Sequence, residues 1–433
     1  MPSGVRIGCG AGFAGDRLEP AVDLVERGEL DTLVLECLGE RTVAAAALRA
    51  RDGSGPGYDP LLRRRLLPLL GPSARHGTRI VTNAGAADPL GAARMAAGLA
   101  RDAGVSLRVA AVTGDDVLDR IDRSAPAWED GLPLEAHGEL VSANAYLGAD
   151  ALLPALRGGA DVVVAGRAAD PSLFLAPLLE RLGWDPRDEH LTASGTLVGH
   201  LLECAGQVSG GYFADPGVKD VPDLANLGFP LAEVGADGSA VITKLPGTGG
   251  RVDTMTVAEQ LTYEVTDPAA YLTPDVSLDL TGVRMSPAGT DRVRVAGARG
   301  RARPDRLKAS VGHRAGFRGE GEISYAGPGA AERARLAGEV AVERLGGRVR
   351  TRVDLIGDTS GGSGECRLRV AGIGPDRAGA EAVEEEVTAL YTCGPAGGGG
   401  VRTRSTEVIG ILSTTIGRDL VEPVTTYVGK GAQ

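Results

Sequence analysis

The chain has 433 residues, 43% of them hydrophobic and 24% charged, which is ordinary globular composition and too long for one typical core. A formal charge of −11 and only 3% aromatics exclude a surface built to grip phosphate backbones or to stack bases. Its 65 glycines follow no G-X-Y period, so collagen is excluded as well. Cys9, Cys37, Cys204, Cys366 and Cys393 are scattered and odd in number, with no CxxC pair, which suits reduced thiols rather than a disulfide framework. MPSGVRIGCG lacks a signal-peptide pattern and no run of about 18 apolar residues occurs. The expectation is therefore a cytoplasmic protein with no membrane and no nucleic-acid partner.

In chain order, Val5–Cys9 reads as a buried strand, Leu18–Arg27 as a helix and Thr32–Cys37 as a second strand. Arg79–Thr82, Arg108–Val112 and Asp161–Ala165 are further strands, and Pro89–Ala103 is a helix closed by Gly104. Strands alternating with helices predict a Rossmann-like parallel sheet domain over 1–190. The rhythm then changes. Thr196–Ala205 and Val257–Val265 read as helices, Ala240–Lys244, Asp291–Ala296 and Phe317–Tyr325 as strands, and Ala330–Leu345 as a helix. These predict a second, α+β domain over 191–347 that completes the site. Over 348–433, Val349–Ile356, a DTSGGSGE turn, Cys366–Ala371, the helix Ala378–Tyr391, and Glu407–Leu412 and Pro423–Val428 predict a small third domain of helix on sheet.

The first motif of chemical interest is Gly10-x-Gly12-x-x-Gly15, directly after a strand, with Glu36 near the end of the next. This is formally a dinucleotide fingerprint, in which glycines admit a pyrophosphate and an acid meets the ribose. Asp16 follows at once. It either caps the next helix or opposes a phosphate. Glu36, Glu40 and Arg41 follow the second strand, Asn83 the third, and Arg167 and Asp170 a later one. Ligands of open α/β sheets sit outside such strand ends. Asp88 and Asp170 each precede a proline, a common helix start.

His200, Glu203 and Cys204 stand at i, i+3 and i+4. Such a set can bind zinc, supply acid–base or nucleophilic groups, or form a partly buried polar face. PGTGG, with Gly247, Gly249 and Gly250, follows Lys244 and offers backbone N–H groups to an anion, or is a hinge. CGPAGGGG lacks the Lys-Ser/Thr of a P-loop, and no GxSxG elbow is present.

IGCGAGFAGDR, LVLECLGERT, VTNAGAADP, NAYLGA, GRAADPSLFLAPL, GTLVGHLLECAGQVSGGYFADP, PGTGG and GEGEISYAG together resemble the acyclic terpene utilisation (AtuA-like) family, collinearly over residues 5–345. The end, with LYTCGPAGGGG, is similar to the small ferredoxin-like C-terminal domain that accompanies it. The resemblance implies breakdown of citronellol- and geraniol-type acids, beside biotin-dependent acyl-CoA carboxylases, one of which is a candidate partner. Residues matching its motifs are Asp16, Glu36, Glu40, Asn83, Arg167, Asp170, His200, Glu203, Cys204 and Lys244.

The resulting expectation is an α/β, homo-oligomeric enzyme of lyase, hydratase or hydrolase type, acting on a small carboxylate or its CoA thioester with no redox cofactor. Arg167 and the glycine turns would hold the anion, and Glu36, Asp170 or His200 would move a proton. Asn83 would orient a carbonyl, and Cys204 would attack if its pKa is depressed. The alternatives are an NAD- or FAD-dependent oxidoreductase using the Gly10–Gly15 turn, and a non-catalytic partner of an acyl-CoA carboxylase.

Overall fold

The structure is a computed structural model that describes residues 4–357 and 364–429, so residues 358–363 of the expected DTSGGSGE turn lie outside the described residues. The chain divides into two compact units. One comprises 1–134, 141–311 and 411–433; the other comprises 135–140 and 312–410. These units differ from a division at 190 and 347, and strand pairing gives the reason.

In the first unit, strands β1 (Val5–Ala11), β2 (Thr32–Leu35), β3 (Arg79–Thr82), β4 (Val109–Thr113), β5 (Leu140–Ala145), β6 (Val162–Ala165), β7 (Pro230–Val234) and β8 (Ala240–Lys244) follow one another along the chain. All but β5 belong to a ten-stranded mixed sheet. Its centre is parallel, in the order β1-β2-β3-β6-β4, with Cys9 opposite Val34, Leu33 opposite Ile80 and Val81 opposite Val163. This order is not the 3-2-1-4-5-6 of a doubly wound dinucleotide domain. The central strands are short, β-branched and buried, as sheets covered on both faces require.

Antiparallel strands extend both sides of that centre. β7 pairs with β1, β8 with β7, and Arg292–Ala296 with β8. The late strand Val424–Val428 pairs with β4. The strands at 230–234, 240–244, 292–296 and 424–428 are therefore bound to the first sheet by backbone hydrogen bonds. Periodicity along the chain does not reveal that non-local pairing. The helix expected at 196–205 spans Glu189–Leu202, and that expected at 257–265 spans Thr254–Thr262 behind an Asp253 capping box.

The second unit contains the later part of the strand Arg306–Ala326, the helix Ala330–Leu345, the strands Arg350–Gly357 and Glu365–Gly374, the helix Arg377–Cys393, and the earlier part of the strand Gly399–Gly417. The sheet order is 350–357, 365–374, 306–326, 399–417. Val353 and Gly321 both stand opposite Val370 in antiparallel register. Ala334, Ala337 and Ala341 repeat at helical spacing and pack with Ile323, Leu368 and Val387. No helix among the described residues is long and apolar enough to cross a membrane.

Small residues set the layer spacing. A Cβ at Gly319 would lie 2.0 Å from the Ala380 carbonyl oxygen, so the 377–393 helix rests directly on this strand. Gly319→Ala forces the helix off the sheet, and thermal unfolding should register a loss of about 1–3 kcal/mol.

Candidate functional site

The first unit contains a cleft of about 1200 Å³ whose polar lining comes from strand ends and the turns after them. β2 runs into Glu36, Cys37 and Leu38, and Gly39 then caps the helix Glu40–Arg51. β6 runs into Arg167, and Asp170 opens the helix Asp170–Leu182. Tyr146 follows β5, its backbone N–H donating to the Lys308 carbonyl at 2.9 Å. Glu203 and Cys204 follow the Glu189–Leu202 helix. Glu36, Arg167, Asp170, Glu203 and Cys204, expected on different elements, thus share one cleft with Gly12 and Asp16.

Glu36 is held by its own loop and by Asn83. The Leu38 N–H and Asn83 Nδ2 each donate to Glu36 Oε1 at 2.8 Å. Asn83 Oδ1 accepts the Cys37 N–H at 2.8 Å, which fixes the amide orientation because a backbone N–H can only donate. Asn83 is fully buried and does not line the cleft. It braces Glu36 from behind instead of orienting a carbonyl. Burial, then the nearby Asp170 charge, push the Glu36 carboxyl up to about 8, against Arg167 and the two N–H donors. With Oε1 accepting both donors, the acid proton belongs on Oε2.

Arg167 is 1% exposed and its guanidinium makes four hydrogen bonds. Nε donates to the Ala168 carbonyl at 2.9 Å, one terminal nitrogen donates to the Leu38 carbonyl, and the other to Ala168 and Asp170. The Tyr146 ring lies 4.5 Å from the guanidinium carbon. The expected anion clamp is instead a tie between the β2 and β6 turns. Behind it, Asp115 accepts the Arg167 N–H and Asn144 Nδ2, each at 2.8 Å, and burial pushes its carboxyl up to about 6. A Cβ at Gly166 would lie 2.2 Å from that carboxylate, so glycine is required there.

Tyr146 Oη donates to Glu40 Oε1 at 2.5 Å and Lys308 Nζ donates to the same oxygen at 3.1 Å. Burial alone would raise Glu40; these donors overcome it and hold the carboxyl down at about 2. Sequence reasoning missed Tyr146, Lys308 and Asp115. NAYLGA was a recurrent motif, and its Tyr146 was the one legible signal among them.

His200 and Glu203 form a buried pair, with Nδ1 3.0 Å from Oε1. His200 Nε2 lies 3.1 Å from the Leu261 carbonyl, which can only accept, so Nε2 carries a proton. The remaining proton then lies between Nδ1 and Oε1 whichever residue holds it. Glu203 Oε2 is buried with no hydrogen-bond partner, and Glu203 itself faces the cleft. Burial pushes Glu203 up to about 7, and the Glu203 contact raises His200 against the effect of burial. Both ring nitrogens are engaged, and Cys204 lies beyond the helix end, so the three residues do not converge as zinc ligands; among the described residues no group of three or more metal-type side chains does. Burial and the Glu203 charge push the Cys204 thiol up, which removes the expected activated nucleophile.

The glycine turns have structural work. Gly10 lies within β1, where a Cβ would meet Leu35 and Ala21 side chains at 2.8 and 2.9 Å. A Cβ at Gly12 would meet the Glu203 carbonyl oxygen at 2.4 Å, so this glycine admits the backbone that carries the cleft's acid. A Cβ at Gly15 would meet the Phe13 ring first, at 2.5 Å. Asp16 does not cap the following helix, which begins at Glu19 behind Leu18. Its carboxylate accepts the Gly12 N–H at 2.9 Å, the amide a phosphate would need. Lys244 and the PGTGG loop lie outside the cleft lining. Lys244 Nζ donates to the Thr248 carbonyl at 2.8 Å and pairs with Asp291 at 3.1 Å. Gly249 and Gly250 pack on the Asp223 and Ser209 carbonyls, while Gly247 takes a left-handed φ of 78°. Asp88 caps the Pro89–Asp102 helix by accepting the Gly91 N–H.

A carboxyl raised from 4.5 to about 8 binds its proton more tightly folded than unfolded. Its contribution to stability is complete below the unfolded pKa and is lost as pH rises through the folded one. Glu36→Gln keeps the neutral shape and both N–H donors. Melting curves between about pH 5 and about pH 8.5 should fall for the wild type and be flatter for the variant, by on the order of a few kcal/mol. Equal slopes would remove the raised Glu36.

A family model described as "Acyclic terpene utilisation family protein AtuA" matches residues 5–427. No curated protein matches the chain. With nearly the whole described length matched, the chain belongs to the acyclic terpene utilisation family, AtuA.

Proposed function

We propose that this cleft is the active site of a cofactor-independent lyase of hydratase type, acting on a branched acyl substrate in acyclic terpene utilisation. The observation that carries the reading is that two carboxyls line one cleft, Glu36 with both of its N–H donors on Oε1, which leaves Oε2 for the acid proton, and Glu203 with a buried, unpartnered Oε2. Groups whose environments hold them near neutrality suit general acid and base work.

In the hydration direction, Glu203 Oε2 takes a proton from water as the water oxygen bonds to one alkene carbon. The π electrons form the new C–H bond with the proton of Glu36 at the neighbouring carbon. Water is consumed, Glu203 gains a proton and Glu36 loses one; solvent exchange restores both. His200 spreads the charge on Glu203 through their shared proton. Dehydration is the reverse. The raised Cys204 thiol disfavours a route through a covalent acyl-enzyme, so hydrolase chemistry ranks second.

Phe13, Tyr212, Leu224, Leu227, Phe229 and Leu272 supply apolar wall, and Phe13 and Tyr212 are 68% and 85% exposed. A branched hydrocarbon chain suits such a wall. The second unit reads as ferredoxin-like, because its β-α-β-β-α-β order and strand order match that plan.

Screening branched enoyl and hydroxyacyl substrates for water addition or loss tests the reaction. Glu203→Gln and Glu36→Gln should each lower kcat by about 10²-fold or more, with the acidic and basic limbs of the pH profile lost separately. Unchanged turnover in both variants would refute the assignment.

A further inference from the structure

The hydration scheme leaves one group of an enoyl substrate unserved. As water adds, negative charge collects on the acyl oxygen, and a donor fixed in place there stabilises it. Asn83 is buried behind Glu36, and Arg167 already makes four hydrogen bonds within the protein.

Four tyrosines line the cleft. Tyr146 is spent on Glu40, Tyr212 is exposed, and Tyr263 lies against Gln207 and Glu264. Tyr271 differs from these three. It stands on the short strand Tyr271–Leu272, which pairs with Ser277–Asp279, and it is half-buried. Its ring rests on the His200 imidazole, with centroids 5.2 Å apart and the planes at 51°, so it sits beside the His200–Glu203 pair. Its hydroxyl has no hydrogen-bond partner among the described residues.

Burial first, then the neighbouring Glu203 and Asp170, push the Tyr271 phenol further above its ordinary range. It therefore remains an O–H donor throughout the range in which Glu36 and Glu203 titrate. Tyr146 shows what a phenol in this cleft does with a carboxylate in reach, and Tyr271 makes no such bond. A half-buried hydroxyl with its donor unused calls for an acceptor on the guest.

Resting on the hydratase reading, we propose that Tyr271 is a further catalytic residue, whose hydroxyl donates to the carbonyl oxygen of the substrate while Glu203 handles the water and Glu36 the proton. No proton leaves the phenol. The hydrogen bond strengthens as charge reaches the oxygen, so it acts on kcat more than on KM.

Sulcatone, an uncharged, branched acyclic ketone, reports that hydrogen bond without turnover. Its isotope-edited carbonyl stretch is read on the protein by difference infrared spectroscopy at about pH 9, where Glu36 has lost its proton and the phenol has not. The stretch should lie below that of the ketone in an apolar solvent. Tyr271→Phe should abolish this lowering and weaken sulcatone binding by about two- to tenfold. Phenylalanine keeps the ring against His200, so a purely packing role would give the same stretch in both proteins. On an enoyl substrate that is turned over, the same variant should lower kcat by about 10²-fold with KM little changed. An unshifted stretch in the wild type, or a lowering that persists in Tyr271→Phe, overturns the assignment and leaves the Glu36 and Glu203 reading standing, because that reading is judged by their own glutamine variants. Sulcatone that does not bind at all removes the acyl-binding cleft and this inference with it.

Discussion

A single buried guanidinium holds the acid cleft in shape. Arg167 joins the turn after β2, through the Leu38 carbonyl, to the turn after β6, through Ala168 and Asp170, while Tyr146 covers its face. Burying such a cation is costly unless nearly every N–H finds an acceptor, and here four hydrogen bonds leave from it. The reward is positional. Glu36 and Asp170, which follow separate strands, are brought near enough for the Asp170 charge to raise Glu36.

Burial first, and that proximity second, explain why these carboxyls retain protons near neutrality. Burial raises Asp170 itself while Arg167 pulls it back down, and the Asp170 charge adds to the rise of both Glu36 and Glu203. Glu40, equally part of the cleft, goes the other way because Tyr146 and Lys308 donate to it. Neighbouring acids of one residue type are thus sorted into a fixed anion and proton carriers by their hydrogen-bond donors, a division that general acid–base chemistry uses.

The same economy appears in the glycines. Gly12 and Gly166 lie where a Cβ would strike the Glu203 backbone and the Asp115 carboxylate, so each lets one chain segment come close behind a reactive group. The resemblance to a nucleotide turn at Gly10–Gly15 arises from the same need for close packing after a buried strand. Asp16, in taking the Gly12 amide, completes the turn internally.

Composition and periodicity by themselves determined the α/β class, the position of the central strands, and the clustering of polar residues at their ends. Those features are local, since burial on both faces demands short β-branched runs and loops carry the polar groups. The family was legible too, because collinear motifs extend over most of the chain. Tertiary structure alone decided that β7, β8 and Val424–Val428 join the first sheet, since long-range backbone pairing leaves no periodic trace. It also decided what each candidate does. Whether an arginine binds a guest or braces a loop depends on which carbonyls lie near its five donors, and whether a thiol is reactive depends on the charge beside it. Those neighbours come from distant parts of the chain, so Arg167 and Asn83, which read as ligand-holding groups in sequence, become supports once the chain is folded, and Cys204, read as a conditional nucleophile, has its thiol pushed up.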